Sequence, residues 1–238
     1  MKTSLIKRFL LATAVALVSL QAAIAGDLVY LNSKQGAQRL LNADMNQQYF
    51  LIENFVDVQE NLGFCGPASM AAALNSLPTI KRPKTSELGS YAYFTQDSLF
   101  TDATSKVKSR SEVMRAGLTL QQMALFLDKL GVASTIYYGD TLNEASFRDL
   151  IRANLSDSNQ RILVNFNRAT LNQAGTGHFS PIAAYDTATD SVLILDVAKF
   201  KYPPFWVKTT DLLAAMQTMD PDSGKNRGLL ILKAAPTQ

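Results

Sequence analysis

The 238 residues are 47% hydrophobic and 18% charged, which is enough for one medium domain with its own core and excludes a disordered chain. The formal net charge is +3, but residues 1–25 hold three Lys/Arg and no acid, so the remainder is formally neutral and has no electrostatic footprint for nucleic acid. One cysteine rules out an intramolecular disulfide, and one cysteine with one histidine leaves no cluster of metal-ligand spacing.

The chain opens with Lys2, Lys7 and Arg8, then an apolar run from Phe9 to Leu20, then the small-residue stretch Ala23-Ile24-Ala25 before Gly26. That is the layout of a secretory signal peptide, and the run is short for a membrane span. The expectation is a signal over 1–25, export to the periplasm, and a single domain over 26–238 with no membrane attachment after cleavage. Ala68–Leu77 follows Gly66-Pro67 and predicts a helix. Lys81–Ser86 and Asp97–Ser111, polar and rich in Lys, Ser and Thr, read as surface loops. Leu120–Leu130 is amphipathic, starts with Thr119 and Gln122 in capping-box spacing and stops at Gly131. Leu142–Leu155 starts from Thr141 and Glu144 in the same spacing, and Asp211–Met219 predicts a shorter helix after Thr210. Strands are expected at Val132–Tyr138, Arg161–Asn167, His178–Asp186, Ser191–Val197 and Gly228–Lys233. The turn signal between Asp186 and Ser191 makes 178–197 a hairpin. Helices first and an antiparallel sheet after give an α+β layout.

Cys65 stands in Gly63-Phe64-Cys65-Gly66-Pro67-Ala68-Ser69, at a helix start. Unpaired backbone N–H groups and the helix dipole favour a thiolate there, and the thiolate is the nucleophilic form. A lone thiol in an exported chain is either buried and inert or used, and the Gly-flanked helix start favours use. A cysteine nucleophile needs a base, and His178 is the one histidine. Asp196 follows four apolar residues and needs a partner if buried, and the hairpin brings it back toward His178. Gln59, six residues ahead of Cys65, is placed to donate to a developing oxyanion. The order Gln, Cys, His, Asp is that of papain-like cysteine enzymes, so the expected fold is the papain-like cysteine peptidase fold.

Longer segments resemble the phytochelatin synthase family, and most of all its short bacterial members. They are Gln59 with Gly63–Ser69, Ala72–Leu77, Phe94-Thr95-Gln96-Asp97, Gly177–Tyr185, Ile194–Pro204 and Trp206–Leu212. The resemblance implies a glutathione γ-glutamylcysteinyltransferase or hydrolase. Its thiolate cleaves the Cys–Gly amide of glutathione, releases glycine, and passes a γ-glutamylcysteinyl group to water or to a second glutathione, the latter making phytochelatin. It implies Cys65 as nucleophile, His178 as base, Asp196 as orienting acid and Gln59 as oxyanion donor. It also implies contacts to the acyl group from Asn165, Gly177 and Arg227, with Asp220 supporting the arginine. No cofactor is required by this resemblance. Cadmium or zinc would arrive as glutathione thiolate complexes, and a homodimer is expected. Eukaryotic members carry a cysteine-rich C-terminal region, and these 238 residues hold one cysteine. Hydrolysis with weak transpeptidation is therefore the expected balance. The competing readings are a papain-like leader peptidase that cuts after Gly-Gly, and a non-catalytic exported module that binds thiol peptides or metal thiolates.

Overall fold

A short strand β1 (Val29–Tyr30) leads into α1 (Lys34–Asn42), which Ser33 caps by accepting from the Gly36 N–H at 3.0 Å. The computed structural model describes residues 26–84 and 91–234, so the signal-like segment 1–25 lies outside the described residues. Helices α2 (Gln47–Ile52) and α3 (Cys65–Ser76) follow. The expected loop at Asp97–Ser111 is instead a 3-10 turn at Asp97–Leu99, the helix α4 (Asp102–Ser105) and the start of α5 (Arg110–Ala116). Its polar residues are caps: Thr101 with Thr104, and Ser109 with Glu112, form two capping boxes. Of Lys81–Ser86, residues 81–84 are described, and Lys84 bridges Ala92.

Next come α6 (Leu120–Lys129), β2 (Ala133–Tyr138), α7 (Glu144–Leu155), β3 (Gln160–Asn167), β4 (Gly177–Asp186) and β5 (Ser191–Ile194). The chain closes with β6 (Phe205–Lys208), α8 (Thr209–Met216), a small ladder of β7 (Met219–Asp220) with β8 (Lys225–Asn226), and β9 (Gly228–Lys233). The cap of α7 is Asn143, two residues beyond the expected Thr141, which sits in a 3-10 turn. Helix α8 starts at Thr209, two residues before the expected Asp211 and without a side-chain cap, and ends at Met216 rather than Met219, which begins β7; the Thr209 hydroxyl donates to Asp190 at 2.7 Å. The strand expected to reach Val197 ends at Ile194, so Asp196 leaves the ladder.

Seven strands form one antiparallel sheet in the order β1-β6-β5-β4-β3-β9-β2. Both faces are covered. Leu163, Phe179, Leu193, Trp206 and Leu230 pack with α3 and α6 on one face. Their neighbours Ile162, Val164, Val192, Phe205 and Leu229 pack with α7 and α8 on the other. Double coverage turns the usual apolar-polar alternation of an antiparallel strand into near-continuous apolar runs. The layout is α+β, but helices follow the strands as well as precede them.

Helix α3 is the central element, with Cys65 through Asn75 all buried. Its C-terminal carbonyls are satisfied by two arginines. Arg82 donates to Asn75 O and Leu77 O at 2.7 Å each, and buried Arg161 donates to Ser76 O at 2.6 Å and Ser76 Oγ at 2.8 Å. Two cations thus face the negative end of the dipole while Cys65 sits at the positive end. Burial pushes the Arg161 guanidinium down to about 10.

Candidate active site

The helix start sets the nucleophile. Cys65 occupies the first position of α3 and Pro67 the third, where its missing N–H costs nothing because the first-turn donors have no intrahelical partner. Gly63 is required by close approach: a Cβ there would lie 2.2 Å from Val113 O. That contact seats the cysteine loop against the end of α5. Burial alone pushes the Cys65 thiol up, but its hydrogen bond to His178 and the N–H groups of Phe179 and Gly66 outweigh this, and its pKa falls below the ordinary thiol value.

The strand start sets the base. His178 is the second residue of β4, opposite Phe166 on β3, and the two rings meet edge to face at 5.6 Å. His178 Nε2 lies 2.9 Å from Asp196 Oδ1 and 3.0 Å from Ser180 Oγ. Donation from Nε2–H to the carboxylate fixes the tautomer and leaves Nδ1 to take a proton from Cys65. Burial pushes His178 down, yet the bonds to Asp196 and Cys65 win and its pKa is raised. Burial likewise pushes the fully buried Asp196 up, and His178, Arg168 and the Ala198 N–H hold it below the usual carboxylate range. A lowered thiol beside a raised imidazole is the arrangement of a thiolate–imidazolium pair.

Arg168, absent from the sequence expectations, completes this cluster. Its Nη2 lies 2.8 Å from Asp196, its Nη1 donates to Gln173 Oε1 at 2.5 Å, and its guanidinium stacks over Phe166 and Tyr202. Ser180 was missed as well. The signal for both was faint: an Arg and a Ser beside apolar strand residues look like ordinary surface positions until the sheet is known to be buried on both faces.

A cleft of about 480 Å³ opens at Cys65. Gly63, Met114, Arg115 and Leu118 form one wall; Asn165, Gly177, Phe179, Asp220 and Arg227 form the other. Asn165 and Arg227 are buried, and Asn165 Oδ1 and Arg227 Nε have no partner among the described residues. Arg227 is held by Nη1 donation to Thr218 Oγ1 at 3.0 Å and to Met219 O. Gly177 leaves room for it: a Cβ there would lie 3.1 Å from Arg227 Nη2. Asp220 does not ion-pair with Arg227 in the structure. Its carboxylate accepts from Asp222 N at 3.3 Å and Ser223 Oγ at 3.1 Å, and it acts on the guanidinium only through its charge. Burial lowers the Arg227 pKa, and Asp220 and Asp222 oppose that. A buried guanidinium that lines a cleft and has hydrogen-bonding capacity left over is suited to receive a carboxylate.

Gln59 is buried beside the cleft but is not one of its lining residues. Its backbone N–H donates to Val197 O at 2.9 Å, next to Asp196, and its side-chain nitrogen donates to Asn61 O at 2.6 Å, leaving one N–H over. Among the described residues no group of three or more His, Cys, Asp or Glu could hold a metal ion, and no helix is long and apolar enough to cross a membrane.

The family model described as phytochelatin synthase matches residues 20–229. Glutathione gamma-glutamylcysteinyltransferase 3 of Lotus japonicus is 32% identical over 194 residues, covering 79% of this chain and 39% of its own length. The number 1 protein of the same plant is 29% identical over 204 residues, 84% of this chain and 39% of its own length. Glutathione gamma-glutamylcysteinyltransferase of Schizosaccharomyces pombe is 28% identical over 195 residues, 82% of this chain and 45% of its own. The chain spans about two fifths of the length of the curated relatives it matches. With the family model running over most of its residues, the chain belongs to the phytochelatin synthase family.

Proposed function

We propose that this chain is a γ-glutamylcysteinyltransferase and hydrolase of glutathione, built on a papain-like fold over residues 26–238 and exported to the periplasm. One observation carries the reading: the Cys65–His178–Asp196 cluster opens into a cleft whose far wall offers the buried, partly unpaired guanidinium of Arg227. A γ-glutamyl group ends in an α-amine and an α-carboxylate, and a guanidinium grips the carboxylate bidentately. Asn165 Oδ1 is the acceptor available to the amine, and Gly177 keeps the space between them open.

The chemistry then follows the geometry. The Cys65 thiolate attacks the carbonyl carbon of the Cys–Gly amide. The free N–H of Gln59 and the helix-start N–H groups stabilise the oxyanion. His178 delivers its proton to the departing glycine nitrogen, the C–N bond breaks, and a thioester remains on Cys65. Water, or the amine of a second glutathione, attacks the thioester while His178 takes up the proton. Hydrolysis is the expected main outcome. Metal ions would enter as glutathione thiolate complexes, as substrate. Incubation with glutathione, with and without cadmium or zinc, and separation of the thiol products by mass tests this. Glycine with γ-glutamylcysteine marks the hydrolase, and oligomers mark transfer. Intact glutathione under every condition overturns the reading.

A further inference from the structure

The loop that carries Gln59 is not held by a helix or a strand. Besides the Gln59 N–H bond to Val197 O, a side-chain amide holds it. Gln96 Nε2 donates to Val58 O at 2.9 Å, and Gln96 Oε1 accepts from the Glu60 N–H at 3.0 Å. One amide thus grips the backbone on both sides of Gln59, as a neighbouring strand would. Two residues earlier the same device recurs. Asn75 Nδ2 donates to Phe94 O at 2.8 Å, and the Phe94 N–H donates to Asn75 Oδ1 at 2.9 Å. Asn75 belongs to α3, the helix that begins at Cys65. All three of Asn75, Phe94 and Gln96 are buried.

We infer that Asn75 and Gln96 are positioning residues that register the oxyanion donor Gln59 to the nucleophile's own helix through segment 94–96; this rests on the proposed cleavage of glutathione. A buried amide whose donor and acceptor are both used is well suited to the task, because breaking either bond leaves a backbone group unpaired. Oxyanion stabilisation depends on donor placement to a few tenths of an ångström. Both side chains are spent on backbone groups, Gln96 on Val58 and Glu60 and Asn75 on Phe94, so they act on Gln59 only through the chain they hold.

The test is a double-mutant cycle on glycine release from glutathione, using Gln96→Met, Gln59→Ala and both together. Gln96→Met removes both bonds at similar volume. The expected result is a kcat roughly 10- to 100-fold lower, a fraction of the loss of a whole oxyanion donor, with KM within about twofold. In the Gln59→Ala background the same change should cost less than about twofold, since Gln96 acts through Gln59. The iodoacetamide rate of Cys65 should stay within about twofold in all variants, because the Cys65–His178 pair is untouched. If circular dichroism shows Gln96→Met unfolded, Gln96→Glu replaces it, keeping the shape and the acceptor for Glu60 N–H but losing the donor to Val58 O once ionised. Equal losses in both backgrounds, or an unchanged kcat, overturn the positioning role while leaving the glutathione reading intact. A wild-type protein that releases no glycine overturns that reading, and this proposal with it.

Discussion

Arg168→Met removes the guanidinium that lies 2.8 Å from Asp196, in a place where the arginine is 3% exposed and the aspartate 0%. Taking one partner from a buried pair costs about 3–5 kcal/mol, because the surviving charge stays buried and uncompensated. A chain of this size loses about 2–4 °C in Tm per kcal/mol, so calorimetry should show a fall on the order of 10 °C. The chemistry should shift in a defined direction. With Arg168 gone, the Asp196 charge bears on His178 alone, the imidazolium is favoured further, and the alkaline limb of kcat/KM moves up. Asp196 itself loses a stabilising cation and its carboxyl pKa rises, while the acid limb, which reflects Cys65, stays close to wild type. Arg168→Lys restores the charge without the fork and should recover part of the Tm. A Tm within about 2 °C of wild type, with an unmoved alkaline limb, would refute the reasoning that Arg168 supports the cluster electrostatically.

Asp196→Asn presents an N–H where Nε2–H now donates, favours the wrong His178 tautomer, and should lower kcat by roughly 10⁴-fold, read by glycine release. The pH profile should be a bell. Its acid limb reflects Cys65, lowered from the ordinary thiol value, and its alkaline limb reflects His178, raised from the ordinary imidazole value. The stability linked to His178 is full below its unfolded value and is lost as pH rises through the folded one. That linked to Cys65 is full above its unfolded value and is lost as pH falls through the folded one. Fast alkylation by iodoacetamide at pH 6, abolished in His178→Ala, checks the pair, and a slow wild-type rate would contradict it. Arg227→Met should raise KM for glutathione by roughly 10- to 100-fold while kcat falls far less, since it loses a charge-assisted contact remote from the scissile bond. Equal losses in kcat and kcat/KM would instead place Arg227 at the transition state.

Much of the scaffold was legible because strong local signals agreed with it. The capping box at Thr119 and Gln122 sets α6, and the apolar runs of β3, β4 and β9 survive because both sheet faces are buried. What escaped were elements without such signals. Strand β6 follows Pro203-Pro204 and is four residues long, α1 carries few apolar residues, and α2 is only six residues long with no side-chain cap. The polar stretch at 97–111 hid two capped helices, since Ser, Thr and Asp serve loops and N-caps alike. In the site, Cys65, His178 and Asp196 stood out as residue types with narrow chemical uses. Arg168 and Gln96 did not, because their partners lie 28 and about 36–38 positions away and meet them only once the sheet and loops are assembled.

The central claim is a γ-glutamylcysteinyl thioester on Cys65. Acid-quenching the protein within seconds of mixing with glutathione, then measuring intact mass and mapping the adduct, tests it most directly. The expected result is a mass increase of one γ-glutamylcysteinyl group on the peptide containing Cys65, matched by free glycine and absent in Cys65→Ala. Glycine release that persists in Cys65→Ala, or an adduct on any other residue, would contradict it.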